Sequence, residues 1–194
     1  DYGASAIEVG TMLAVSAVVG AGTGLYSGYL SDKLGRKWVM VLGSWIASIS
    51  YTGIALASEV WQFYVLIMMT GLMRPMIEAP AKAVIGDNLK DSKDRELALN
   101  IRYFLLNLGG ALGPLIGITL ALSQPQNLLF VAGGTYVVYG FWLLLGIERK
   151  GTFTKPDPSQ LPNFAATLNV IRKDNIFVKL MVANLIMMFV YAQV

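Results

Sequence analysis

The chain has 194 residues and a mass of 21.0 kDa, with 55% hydrophobic side chains, 14% charged ones and a mean hydropathy of +0.57. A soluble domain carries about 25% charged residues, so roughly half the polar coating of a water-exposed surface is missing and a free-standing soluble domain is excluded. The absence of cysteine and histidine removes disulfides, the commonest zinc ligands and every Ser/His or Cys/His nucleophile pair, while the net charge of +3 is spread over short loops and forms no basic patch with stacking aromatics for nucleic acid.

Crossing a hydrocarbon core of about 30 Å takes roughly 20 helical residues, so uncharged runs of that length mark the elements. The chain opens on Asp1, Tyr2 and Gly3 without an initiator methionine or a basic segment, which reads as a cut end. Residues 9–31, between Glu8 and Asp32, form the first expected span. Residues 38–58, between Lys37 and Glu59, form the second, with Trp38 and Trp45 as rings suited to a membrane interface. A third, over 61–86, has to carry Arg74, Glu78 and Lys82 inside it, because the apolar part 60–73 covers only about 21 Å.

No charge occurs from Tyr103 to Ile147, about twice the length of one crossing. This run folds back at Ser123, Gln124, Pro125, Gln126 and Asn127, giving spans four (97–122) and five (128–147). A polar stretch with Pro156, Pro158 and Pro162 follows. Within it, Phe164, Leu168 and Ile171 stand at helical spacing, as in an interfacial helix. A last apolar run starts near Ile176 and ends at Val194, short of a clear crossing. The expected fold is all-α, a polytopic transmembrane helix bundle.

Lysine and arginine set the orientation. They fall in the loops after spans one, three and five, as Lys33, Arg36 and Lys37, then Lys90, Lys93 and Arg95, then Arg149, Lys150, Lys155, Arg172 and Lys173. The opposite loops have none. By the positive-inside rule, loops 32–37, 87–96 and 148–175 face the cytoplasm of a cell (plasma or inner) membrane.

Three constellations bear on chemistry. The first is Gly28-Tyr-Leu30-Ser-Asp32-Lys-Leu-Gly35-Arg36-Lys37. Asp32 stands at the C-terminal end of one helix and Arg36 at the N-terminal start of the next, both at ends where the helix dipole disfavours them. Each therefore needs a partner, or else the loop is an ordinary solvated one. The pattern resembles motif A of the major facilitator superfamily, which joins the second and third helices of its twelve-helix carriers. That resemblance implies a latch in which Arg36 pairs with an acidic residue at the end of the next-but-one helix, here Asp87, and Asp32 engages the other half of the carrier.

The second is Asn107-Leu-Gly109-Gly-Ala-Leu-Gly113-Pro114-Leu-Ile-Gly117. Gly109, Gly113 and Gly117 share one helix face that admits a close neighbour, and Pro114 removes a backbone hydrogen bond. A packing groove with a kink is one reading. The segment also resembles motif C of drug/proton antiporters in the same superfamily, although two of that pattern's glycines fall at Asn100 and Ile118.

The third is Arg74, Glu78 and Lys82, spaced by four on one helix face, with Arg102 near the start of the next span. Charges at such depth are costly unless they are paired or face water, so they either hold helices in register or line a cavity. Glu78 is the candidate proton carrier, because a poorly solvated carboxylate takes up a proton more readily than one in water; its flanking cations oppose this. Asn107 and Asn184 are further cavity candidates.

The resemblance implies that residues 1–148 are an N-terminal half lacking its first helix, 149–175 a cytoplasmic central linker and 176–194 the start of a seventh helix. It implies a secondary active transporter working by alternating access as a monomer, with a small-molecule substrate, protons and the bilayer as partners, and with no cofactor beyond a proton gradient. Proton-coupled efflux of amphipathic or cationic compounds is the reading favoured, with proton-coupled import of a peptide or sugar, or a non-transporting scaffold, as alternatives. If the threading is right, a membrane-impermeant amine reagent added to intact cells leaves Lys90 and Lys150 unlabelled until the membrane is opened, as peptide mass mapping would report.

Overall fold

The computed structural model describes residues 5–121, 124–146, 172–176 and 178–183. It contains five long helices: α1 (Ala6–Leu34), α2 (Arg36–Leu56), α3 (Val60–Asn88), α4 (Ser92–Ala121) and α5 (Pro125–Gly146). Each is long and apolar enough to cross a membrane, and the five correspond in order to the five expected spans.

The helices overrun the uncharged runs where their ends can be capped by polar groups. Ser5 Oγ accepts from the Glu8 N–H, and Glu8 Oε2 accepts from the Ser5 N–H at 2.7 Å, a reciprocal cap that starts α1 before its apolar stretch. Gln62 Oε1 takes the N–H groups of Ser58 and Glu59 at 2.8 and 3.1 Å at the head of α3. Asp91 Oδ1 takes that of Lys93 at 2.7 Å at the head of α4, and helix then runs through Lys93, Asp94, Arg95 and Glu96. Pro125, expected in a turn, instead opens α5, where its missing N–H is no loss. The prolines at 75, 80 and 114 lie inside α3 and α4, which continue through them.

Hydroxyl groups on the spans turn back onto their own helices. Thr23 donates to Val19 O, Ser31 to Gly28 O, Ser44 to Val41 O and Ser50 to Ile46 O, each at 2.7–2.8 Å. This hides them from an apolar solvent. Among the described residues no buried side-chain nitrogen or oxygen lacks a partner.

Helix α2 is the hub. It packs along α3 on one side and α5 on the other, α1 packs along α3, and α4 makes only slight contact with α3 and α5. Half of the most apolar stretch of α2 is buried, and its buried positions are mostly small: Gly43, Ser44, Ala47, Ser48, Ser50 and Ala55. A β-carbon on Gly140 of α5 would stand 2.7 Å from Ser44 Oγ, and one on Gly133 would collide with Thr52 Oγ1 and lie 3.2 Å from Ser48 O. Across the α2–α3 contact, a β-carbon on Gly43 would meet Met76 Cβ at 2.9 Å. Between α1 and α3, one on Gly20 would meet Gly71 O at 3.0 Å, and one on Gly71 would collide with Ser16 O. In lipid, helices gain little from excluding water and associate through such close packing.

Larger side chains fill what remains. Met40, Val41 and Leu143 form a buried cluster flanked by Trp45, Ala81, Val84, Tyr139 and Leu144. Trp45 meets Phe141 edge-on at 5.4 Å, and Tyr51 stacks on Tyr136 at 5.7 Å between centroids. A second compact unit covers 156–194. Its described residues are helical on both sides of Asp174, whose Oδ1 accepts from the Ile176 N–H at 3.0 Å. The interfacial helix expected near 164–171 lies outside the described residues.

The glycine contacts make a matched prediction. Gly133→Ala should lower the unfolding temperature of the purified protein, since overpacking costs about 1–3 kcal/mol. Gly134→Ala, at a position with nothing within 4 Å of the added carbon, should be neutral or raise it, because alanine favours the helix by about 0.5–1 kcal/mol. A thermal melt of the two variants side by side checks both signs.

Candidate functional site

At the end of the bundle that carries the basic loops, α1 passes into α2 through one residue. Gly35 has φ +95° and ψ 132°, and its N–H donates to Ser31 O at 3.0 Å. That backbone region is open to glycine and costly for other residues, which accounts for glycine at this joint. The turn sets Asp32 and Arg36 four residues apart, and Arg36 Nη2 lies 3.4 Å from Asp32 Oδ1. Arg36 Nη1 donates to Asp87 Oδ2 on the last turn of α3. The guanidinium is therefore held between carboxylates of two other helices, with its side chain only 18% exposed against 38% for Asp32 and 45% for Asp87.

This arrangement answers the dipole problem posed by the sequence. Asp32 and Arg36 each sit at the unfavourable end of a helix, and each finds the other. Lys37, next in sequence, does something its sequence position did not suggest. Its Nζ crosses to α5 and donates to Leu144 O at 2.7 Å. Arg36 and Lys37 together join α2 to α1, α3 and α5. Nearby, Arg95 folds back so that its Nε and Nη2 donate to Leu89 O at 3.3 and 3.2 Å, closing the α3–α4 loop.

The second cluster lies midway along α3. Arg74 is the central residue of the 29-residue α3, about 21 Å of helix from either end. Its Nε donates to Glu78 Oε1 at 2.8 Å. Both line a cavity of about 550 Å³ between α1 and α3, with Leu13, Ser16, Thr70 and Tyr51 also on its wall. Ser16 Oγ and Thr70 Oγ1 are 3.4 Å apart across it. The carboxylate was expected between two cations; among the described residues its ion pair is with Arg74, and Lys82 is exposed one turn nearer the basic end.

The other sequence candidates are scattered. Arg102 lies close enough to Tyr139 of α5 to interact electrostatically. Asn107 Nδ2 donates to Tyr103 O at 2.8 Å within its own exposed helix. A β-carbon on Gly109 or Gly113 would meet nothing within 4 Å, and one on Gly117 would reach Leu128 of α5 at 3.8 Å, so among the described residues only the Gly117 end of that face has a neighbour. Gly28 is likewise open, and Leu30 is half-buried beside it. Pro114 lies within the unbroken α4. Asn184 lies outside the described residues. Among those residues no group of His, Cys, Asp and Glu suits a metal ion.

Comparison with known proteins adds the decisive observation: the model of the Major Facilitator Superfamily matches residues 1–194, the whole chain. The chain belongs to the Major Facilitator Superfamily. It is a multi-pass membrane protein of a transporter family and not an enzyme. It is 32% identical over 191 residues to the MFS-type transporter YqjV of Bacillus subtilis, covering 98% of this chain and 46% of that protein. It is 27% identical over 163 residues to the multidrug resistance protein MdtH of Photorhabdus laumondii, covering 80% and 39%. A Na(+), Li(+), K(+)/H(+) antiporter of Planococcus maritimus is 26% identical over 145 residues, covering 72% and 34%. The chain thus spans less than half the length of these superfamily relatives.

The Arg36 junction can be tested as a pair. Arg36→Ala and Asp87→Ala should each destabilise the purified protein, and the double variant should lose less than their sum. The coupling should be about 1–2 kcal/mol, within the range for contacting residues and held down by the exposure of Asp87. A double-mutant cycle read by denaturant titration checks it.

Proposed function

We propose that this chain forms part of a secondary active transporter that exports small molecules by alternating access, driven by protons moving the other way. The observation that carries this reading is the Arg36 junction. One guanidinium ties α2 to α1 and α3 at a single end of the bundle, and Lys37 ties the same end to α5. An ion-pair knot at one end gives a bundle two arrangements, knot closed and knot open, separated by a few kcal/mol. Alternating access needs such a pair of arrangements. In this role Gly28, Leu30, Asp32, Gly35, Arg36, Lys37 and Asp87 form the gate.

Two further features support export by proton exchange. On the face of Gly109, Gly113, Pro114 and Gly117 of α4, an added β-carbon at Gly109 or Gly113 would meet nothing within 4 Å, which leaves room for another helix to close against that part. Of two relatives, one is named a multidrug resistance protein and the other a Na(+), Li(+), K(+)/H(+) antiporter, which is in keeping with this reading. Glu78 is the acidic group on the wall of the cavity and the candidate site of proton coupling, with Arg74 as its ion-pair partner.

The test uses the full-length carrier in liposomes with an imposed pH gradient. Solute should move against the direction of proton flow, and Glu78→Gln should abolish the dependence on the gradient, a loss of at least about tenfold in driven flux of the size typical for a proton-transfer residue. Movement in the same direction as protons would make the carrier an importer. Unchanged, pH-dependent flux in Glu78→Gln would remove Glu78 from coupling.

A further inference from the structure

We infer that the cavity between α1 and α3 is an oxyanion site: the guanidinium of Arg74 receives the carboxylate or phosphate of a small amphipathic ligand. The inference rests on the transport reading only for calling that ligand a substrate.

The geometry of the guanidinium is the starting point. Arg74 Nε is taken by Glu78 Oε1 at 2.8 Å, and its Nη1 and Nη2 have no partner among the described residues. The side chain is 78% exposed on the cavity side of a helix whose other charged partner, Glu78, is 32% exposed. With Nε on Glu78 Oε1, the end-on fork of the two terminal nitrogens is left for a ligand. Such a fork matches two oxygens of a carboxylate or phosphate, which an ammonium or neutral ligand cannot supply.

The surrounding charge favours the same ligand. Away from the helix ends, the five described spans carry three cations, Arg74, Lys82 and Arg102, against one anion, Glu78. A cationic ligand entering at Arg74 would meet like charge in a poorly screened region. An anion would complete the balance. This holds in either state of Glu78: ionised, it orients the fork; protonated, it leaves Arg74 uncompensated.

The remaining wall sets the rest of the ligand. Leu13, Ala17, Met73 and Pro75 give an apolar side, and Ser16 and Thr70 give two hydroxyls. A volume of about 550 Å³ lies within the range of small-molecule pockets, about 300–1,000 Å³. A lipid headgroup is a poor source of the oxyanion, because Arg74 stands about 21 Å of helix from either end of α3 and phosphates sit at the bilayer surface.

The experiment is equilibrium binding to the full-length protein in detergent, with no gradient, using three ligands that share one body: phenylacetate, phenethylamine and phenylacetamide. Phenyl phosphate is the second oxyanion. Phenylacetate or phenyl phosphate should bind at least about tenfold more tightly than the amine or the amide, the size of one charge-assisted hydrogen-bond pair. Arg74→Gln should bring all four within about threefold, and Arg74→Lys should keep the order of preference with weaker binding. Amine binding equal to or tighter than carboxylate binding in the unaltered protein overturns the site, whatever the variants do. So does a preference that survives Arg74→Gln, or no binding by any of the four. Selective oxyanion binding without gradient-driven flux would retire the transport reading alone, whereas driven flux with amine preference would retire the oxyanion site alone.

Discussion

A helix in a bilayer has no water to pair its backbone and gains little from burying apolar surface against another helix, because lipid is already apolar. What it can gain is close contact. The arrangement here follows from that constraint: α2 presents Gly43, Ser44, Ser48 and Thr52 to its neighbours, and α5 answers with Gly133 and Gly140. Serine hydroxyls serve twice, as small side chains at the contact and as donors bent back onto their own helix. Half-buried tyrosines and buried methionines then settle into the spaces the small residues leave. Without the approach of backbone to backbone at α2, the helices would have no shared core around which to place either the Arg36 junction or the Arg74 cavity.

The two charged clusters solve opposite problems. At the basic end, Arg36 is charged where water is near, and two carboxylates hold it in a chosen place. At mid-membrane, Arg74 is charged where water is scarce, and a single carboxylate takes one of its nitrogens. The first arrangement spends its cation on binding helices together, and the second leaves most of its cation available. The proposed mechanical role of the first cluster and the proposed binding role of the second rest on this difference in what remains unpaired.

Much of the fold was legible in the sequence because lipid imposes a length. The five expected spans became five helices in order, and the depth of Arg74 followed from counting residues. Boundaries were less legible: charges at 93–96 do not stop a helix once it has left the hydrocarbon. The Arg36 link to Asp87 was anticipated through the resemblance to motif A, which implies an acidic partner at the end of the next-but-one helix. Lys37 was missed because its partner is a backbone carbonyl of α5, which no residue type announces. The close contacts of Gly20, Gly71, Gly133 and Gly140 were not singled out for a related reason: contact depends on which helix lies opposite, which spacing along one helix does not give. Local rules would also pair Glu78 with Lys82, since a carboxylate preceding a cation by four residues is the better helical order. Arg74 prevails, in keeping with its greater depth and its greater need for neutralisation.

The single-residue joint at Gly35 has a mechanical corollary. Two helices linked by one glycine cannot slide past each other along their axes, since consecutive Cα atoms stay about 3.8 Å apart. The pair can only splay, like the legs of a compass opened from its pivot. Any piston-like stroke of α1 must therefore lift the head of α2 with it, and through Arg36 and Lys37 tug on α3 and α5 at the same level. Displacement entering at one strut is shared by four.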